Sequence, residues 1–253
     1  FPLLIRSRSG MTLTHDGELV LPFIQQILDD ETDLLQMSKN INGLRLGSIK
    51  IGAFSSVCIN WLPKIISSFS KQYPDIEVSI VQGSFEDISK KVKAGEIDVG
   101  FTTLPVTDNL TTIPLIEDPI HCVTPAGFVP KNKKSITQQD IINQKFVLQK
   151  IDYDRDTKSV LDDYNVTINS INFSIDDQSI ISMVEAGIGF GILPKLALKK
   201  IQGDVEIYPF HQSYTRQIVL VTGKSKVVSP SVVELVTVIK DFVEKTYEIS
   251  LES

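Results

Sequence analysis

After Gly47 the chain alternates between β-type and helix-type runs, and no other feature constrains its fold as tightly. Strands are expected at 48–54 (SIKIGAF), 76–82 and 97–103, with helices at about 60–73, ended by Pro74, and at 85–94, closed by Gly95. An extended stretch at about 112–124 leads into a loop. A second set follows, with strands at 146–149, 171–175 and 190–193 and helices at about 154–164, 177–186 and 194–200, then strands near 204–209 and 216–222. Strands separated by helices of this length need crossover connections, so they pair in parallel and the fold class is α/β. The last helix opens at Ser229-Pro230, a favourable cap and first-turn pair. Val232, Val233, Val236, Ile239 and Phe242 are expected to form its core-facing stripe.

Ahead of Gly47 the period changes. Val20, Ile27, Leu34 and Ile41, taken with Phe23, Met37 and Leu44, make an a/d heptad seam broken only by Asp30. Two helices packing along one another need such a seam. Gln25, Gln26, Asp29, Glu31 and Asp33 supply the solvated faces. Residues 18–44 are therefore expected to form a long dimerisation helix, with Thr14 capping its start. The competing arrangement is one amphipathic helix lying on its own domain. Pro22 lacks a backbone donor and crowds the preceding turn, so the helix either kinks there or begins there. Gly43 and Gly47 flank a short linker. Residues 1–17, with Arg6 and Arg8, have strand-turn character and are too few to fold alone.

Composition excludes several classes. At 253 residues and 42% hydrophobic, the chain suits two medium-sized lobes. It holds no run of about 18 apolar residues, so no membrane span is expected. The opening FPLLIRSRSGMTLTHDGE does not read as a secretory leader, which points to a cytoplasmic protein. A net charge of −6 argues against this chain gripping phosphate backbones by itself. Cys58 and Cys122 lack zinc or disulfide spacing. Cys58 follows a strand and is either a reactive thiol or a semi-buried apolar residue. His15, His121 and His211 are scattered, and neither HExxH nor GxSxG occurs. No metal, cofactor or catalytic set is expected, and the chain does not read as an enzyme. Gly187, Gly189 and Gly191 mimic a phosphate loop, but a helix precedes them and a strand follows, so a tight turn is the better use. Asp98 is expected to serve a structural turn, and KNKK at 131–134 to be a solvated basic loop.

Three stretches, in order, resemble the LysR-type transcriptional regulators. GMTLTHDGELVLPFIQQIL is similar to the end of that family's winged helix-turn-helix domain and its linker helix, with LT-x-x-G before a long helix. GSIKIGAF with WLPKIISSFSKQYPDIEVSIVQGSFEDISKKVKAGEIDVGF resembles the first lobe of the sensor domain, and SMVEAGIGFGILP a stretch of the second. Pro22 and His15 depart from the pattern and bear on the straightness of the helix. The resemblance implies a two-lobed, type-2 periplasmic-binding-protein-like sensor domain preceded by a dimerisation helix. On that reading 1–17 is the remnant of the winged helix-turn-helix, 18–47 the linker helix, 48–124 with 224–253 lobe I, and 125–223 lobe II. The crossings between lobes are placed near 123–126 and 222–225. Arg6 and Arg8 would belong to the wing and touch DNA phosphates, the helix-turn-helix itself lying upstream of Phe1.

In such lobes ligands bind beyond the carboxyl ends of the parallel strands, where helix N-termini also point. Polar residues expected there are Ser55 and Ser56, Gly83 and Ser84, and Thr102 and Thr103 in lobe I, with Gln149, Lys150, Asp177 and Gln178 in lobe II. Hydroxyls, amides and one cation suit a small anion or organic acid. Ser84 and Asp177 equally suit helix capping. The expected function is the effector-sensing and oligomerisation region of a DNA-binding regulator, a homodimer or homotetramer that reaches DNA through its N-terminal domain. An extracytoplasmic solute-binding protein would share the cleft but have no use for the heptad helix; an enzyme on the same scaffold would need a catalytic set.

Overall fold

The computed structural model describes residues 1–7, 10–41, 47–106, 110–148, 155–165, 170–172, 177–200, 202–224 and 229–251. A small antiparallel hairpin, β1 (Leu4–Ser7) and β2 (Gly10–Leu13), leads into α1 (His15–Ile41). Thr14 caps α1, its hydroxyl accepting from the Gly17 amide at 2.8 Å and donating to the Pro2 carbonyl at 2.8 Å. Gly17 is glycine for a steric reason: a Cβ there would run into the carbonyl oxygen of Leu3. The hairpin is thus seated on the first turn, and α1 starts at the cap rather than at 18 or at Pro22.

The helix runs on through Pro22, which has no N–H to offer the Glu18 carbonyl. Leu19, Phe23, Ile27, Leu28 and Leu34 are each more than half exposed. Among the described side chains these leave an apolar row in water from Leu19 to Leu34. Val20 is partly covered. The side chains of Met37 and Ile41, and all of 42–46 including Leu44, lie outside the described residues.

The rest builds one nine-stranded sheet shared by two lobes, in the order β4-β3-β5-β11-β6-β9-β7-β8 with β10 on β6. Lobe I holds β3 (Gly47–Ala53), α2 (Ser55–Asn60), α3 (Leu62–Gln72), β4 (Ile76–Gln82), α4 (Phe85–Lys93) and β5 (Val99–Thr103). Strands β3, β4 and β5 are parallel, as the crossover argument requires. The long strand β6 (Leu110–Pro125) leaves this lobe for lobe II, with α5 (Gln138–Ile141), β7 (Phe146–Leu148), α6 (Arg155–Asp163), β8 (Ser170–Asn172), α7 (Asp177–Glu185), β9 (Phe190–Pro194), α8 (Lys195–Leu198) and β10 (Val205–Pro209). The chain returns through β11 (Thr215–Gly223) to α9 (Pro230–Tyr247) on lobe I.

The crossings fall earlier than 123–126 and 222–225. On β6, Leu115 and Ile116 belong to the lobe I core and Ile120 and Cys122 to that of lobe II; on the way back Tyr214 belongs to lobe II and Ile218 to lobe I. Strand β6 passes through the boundary unbroken, pairing with β11 up to Pro119 and with β9 from Ile120, so no turn marks the change. Helix α9 is rotated from the expected stripe: Val232, Leu235, Val238, Ile239 and Val243 are buried, while Val233 is half exposed. Gly187, at φ +72, and Gly189, whose Cβ would press on the Lys145 carbonyl, make the tight turn from α7 into β9. Asp98 accepts from the Lys50 amide at 2.7 Å and so ties the start of β5 to β3. Among the described residues no helix is long and apolar enough to cross a membrane.

Candidate functional site

The carboxyl ends of β3, β4 and β5 lie side by side, because Ala53 is in register with Gln82 and Gly52 with Gly100. That register brings Ser55, Gly83, Ser84 and Thr103 to one end of the lobe I sheet. Phe54 and Phe85, the residues just inside, meet edge to face at 4.8 Å and floor this end. Ser55 is partly exposed on the first turn of α2, not in a loop. Gly83 is partly exposed as well, and a Cβ there would meet Asp87 and Ile88 only at ordinary contact distance, so close backbone approach does not require glycine. Ser84 is partly exposed and caps α4: its hydroxyl donates to Asp87 Oδ2 at 2.7 Å and accepts from the Asp87 amide at 3.2 Å. The Ser84 hydroxyl beside it holds the Asp87 carboxyl below its ordinary range, with the Ser84–Asp87 backbone bond and nearby Lys90 and Lys91 adding to the effect.

Three expected contacts face inward instead. Thr102 and Thr103 have no exposed surface, because β5 is covered on both faces. The Thr102 hydroxyl donates to the Phe85 carbonyl at 3.1 Å and takes a bond from Ser89. Ser56 is 3% exposed and its hydroxyl accepts from Arg216 Nη2 at 3.0 Å.

In lobe II, Asp177 opens α7 and is partly exposed. Gln178 is exposed, and its side-chain amide donates to the Gln202 carbonyl at 2.8 Å. Gln149 and Lys150 lie outside the described residues, as does Arg8; Arg6 is exposed on β1.

Behind these residues, where the strands cross between lobes, stands a buried ion pair that patterning alone did not single out. Arg216 donates from Nε and Nη2 to Asp118 Oδ2 at 3.0 and 2.8 Å, both side chains being 3% exposed. The guanidinium carbon lies 4.9 Å from the Phe54 ring centroid and 5.9 Å from that of Phe85. Asp118 Oδ1 accepts from the Leu196 amide at 2.9 Å, at the start of α8. A signal was present: Ile116, Asp118 and Ile120 alternate inward along β6, and a carboxylate at an inward position needs a partner. Cys58 is a poor nucleophile, since burial pushes its thiol up to about 11 and its Sγ donates to the Ala53 carbonyl. His121, half buried beside the crossing, is held below its ordinary range chiefly by burial. Among the described residues no cluster of three or more His, Cys, Asp or Glu is placed to hold a metal ion.

The profile of the LysR substrate binding domain matches residues 42–244. An uncharacterised HTH-type transcriptional regulator of Bacillus subtilis, YvbU, is 26% identical over 78% of this chain and 67% of its own length. Among solved structures, full-length OxyR from Pseudomonas aeruginosa superposes with a TM-score of 0.71 at 21% identity, covering 96% of this chain and 80% of that one. The BenM effector-binding domain with its effector benzoate superposes with a TM-score of 0.70 at 18% identity, over 82% of this chain and 98% of that one.

Proposed function

We propose, from the premise that this chain belongs to the LysR substrate binding domain family, that it is the effector-sensing and oligomerisation region of a transcriptional regulator acting in the cytoplasm. The reading is supported by the placement of Ser55, Gly83 and Ser84, all partly exposed, beyond the carboxyl ends of the parallel lobe I strands, and of Asp177, partly exposed, at the opening of a lobe II helix. The guest is a small molecule held between the lobes. BenM holds benzoate in its effector-binding domain, and a small organic acid suits the hydroxyls at the lobe I strand ends here, with Lys150 as the proposed cation. Helix α1 pairs with α1 of a second copy along its exposed apolar row. The wing residues Arg6 and Arg8 are proposed to position DNA phosphates in the full-length regulator. By linkage, an effector acts only if it binds one arrangement of the lobes or dimer better than another.

A thermal-shift screen against organic acids and small anions tests this. A ligand at 100 times its Kd stabilises by about 2.7 kcal/mol, a rise of roughly 5–11 °C for a chain of this size. Ser55→Ala is expected to remove the shift and leave the ligand-free melting point unchanged. A shift that survives Ser55→Ala undiminished places the ligand elsewhere.

A further inference from the structure

Helix α8 follows a lobe II strand, yet it is fastened to lobe I at both ends. At its start the Leu196 amide is held by Asp118, whose other oxygen holds Arg216, which reaches Ser56 on α2 of lobe I. The Leu196 carbonyl accepts from Asn60 Nδ2, also on α2, at 2.9 Å. The Leu196 side chain is 1% exposed and sits in the lobe I core, whereas Leu193, just before it, sits in a lobe II core. At the other end Lys200 Nζ donates to the Ile59 carbonyl at 2.8 Å. Lys199 Nζ donates to the Tyr247 hydroxyl on α9 at 3.0 Å and lies 4.4 Å from its ring centroid.

We propose that α8 is a third, non-covalent connection between the lobes, and that it fixes the axis about which an effector moves them. The two covalent crossings, in β6 and at the start of β11, lie beside it. Opening the lobes on this side would draw Leu196 out of the lobe I core and break the bonds that reach α2, from Asn60 to the Leu196 carbonyl and from Arg216 to Ser56, the latter shielded from water and salt. Rotation about the line through β6, β11 and α8 does neither. Movement is therefore greatest at β4 and β8, the outer edges of the sheet. The purpose of the connection rests on the effector-sensing reading; its existence does not, and it is testable with no ligand present.

The test is hydrogen exchange on the whole ligand-free chain, read by mass at 55–60 and 195–198. Asp118→Asn touches α8 directly and α2 only through Arg216. Exchange about tenfold faster at both helices is expected, the scale of one charge-assisted hydrogen bond, with β3 and β7 unchanged. Acceleration confined to α8 overturns the proposal. Should Asp118→Asn unfold the chain, Ser56→Ala, which lies on α2 and reaches α8 only through Arg216 and Asp118, gives the same reading in reverse: α8 accelerates if the helices are coupled, and only α2 does if they are not. An effector panel that yields no binder while both helices respond together refutes the sensing reading and upholds the connection.

Discussion

Replacing Arg216 by Met keeps the volume of the side chain and deletes its charge. The Asp118 carboxylate, on a side chain 3% exposed, then stays buried beside an uncharged neighbour, with the Leu196 amide still donating to it. Removing one member of a buried pair costs about 3–5 kcal/mol, because the remaining charge cannot regain its hydration. Loss of the guanidinium above the Phe54 ring, in a site closed to water, adds about 2 kcal/mol. At about 2–4 °C per kcal/mol the sum, about 5–7 kcal/mol, should lower the melting point of the variant by roughly 10–28 °C. Differential scanning calorimetry of Arg216→Met and of the double variant Arg216→Met/Asp118→Leu separates the terms. The double variant removes both charges and should recover most of the loss. A single variant melting within about 2 °C of the parent would show that the pair does not anchor the crossing.

Three further outcomes follow from local geometry. Gly17→Ala should unseat the β1–β2 hairpin, so the Thr14 amide, bonded to the Leu3 carbonyl at 3.0 Å, loses exchange protection while β3 keeps its own; retained protection would refute the close-approach argument. Phe23→Glu with Leu34→Glu puts charge on the exposed row of α1 and should convert a dimer to a monomer in sedimentation, whereas an unchanged mass would mean that another surface joins the copies. Burial works to raise the Asp140 carboxyl, but the Thr137 hydroxyl and the Lys131 and Thr137 amides outweigh it and hold it below its ordinary range. Its folded value being depressed, its stabilisation is complete above the ordinary carboxylate range and fades as pH falls through the lowered value. Asp140→Asn should therefore flatten the acid side of the stability profile in urea titrations, and an identical acid slope would contradict the assignment.

The alternation of strand and helix was legible because most elements are long enough to show their period, from β3 to α9. Helix α2 was not: it has six residues, including β-branched Val57 and Ile59, and Phe54 at its N-cap makes no side-chain cap. Ser55 and Ser56 therefore read as loop residues. Thr102 and Thr103 stand where a strand ends, as expected, but β5 lies between β3 and β11 and both its faces are covered, so their hydroxyls point into the core. The alternation along β6 places Asp118 inward, yet nothing local indicates that its partner lies 98 positions away on an antiparallel strand. Along α1 the heptad positions Phe23, Ile27 and Leu34 remain exposed, so their pattern is not overwritten by burial in the core.

The account stands or falls on a small molecule bridging the two lobes. Differential hydrogen exchange with and without a binder from the screen measures this most directly. Protection should appear together at 55–60 and 83–85 in lobe I and at 177–178 in lobe II. Protection confined to one lobe, or found only away from the strand ends, would contradict it.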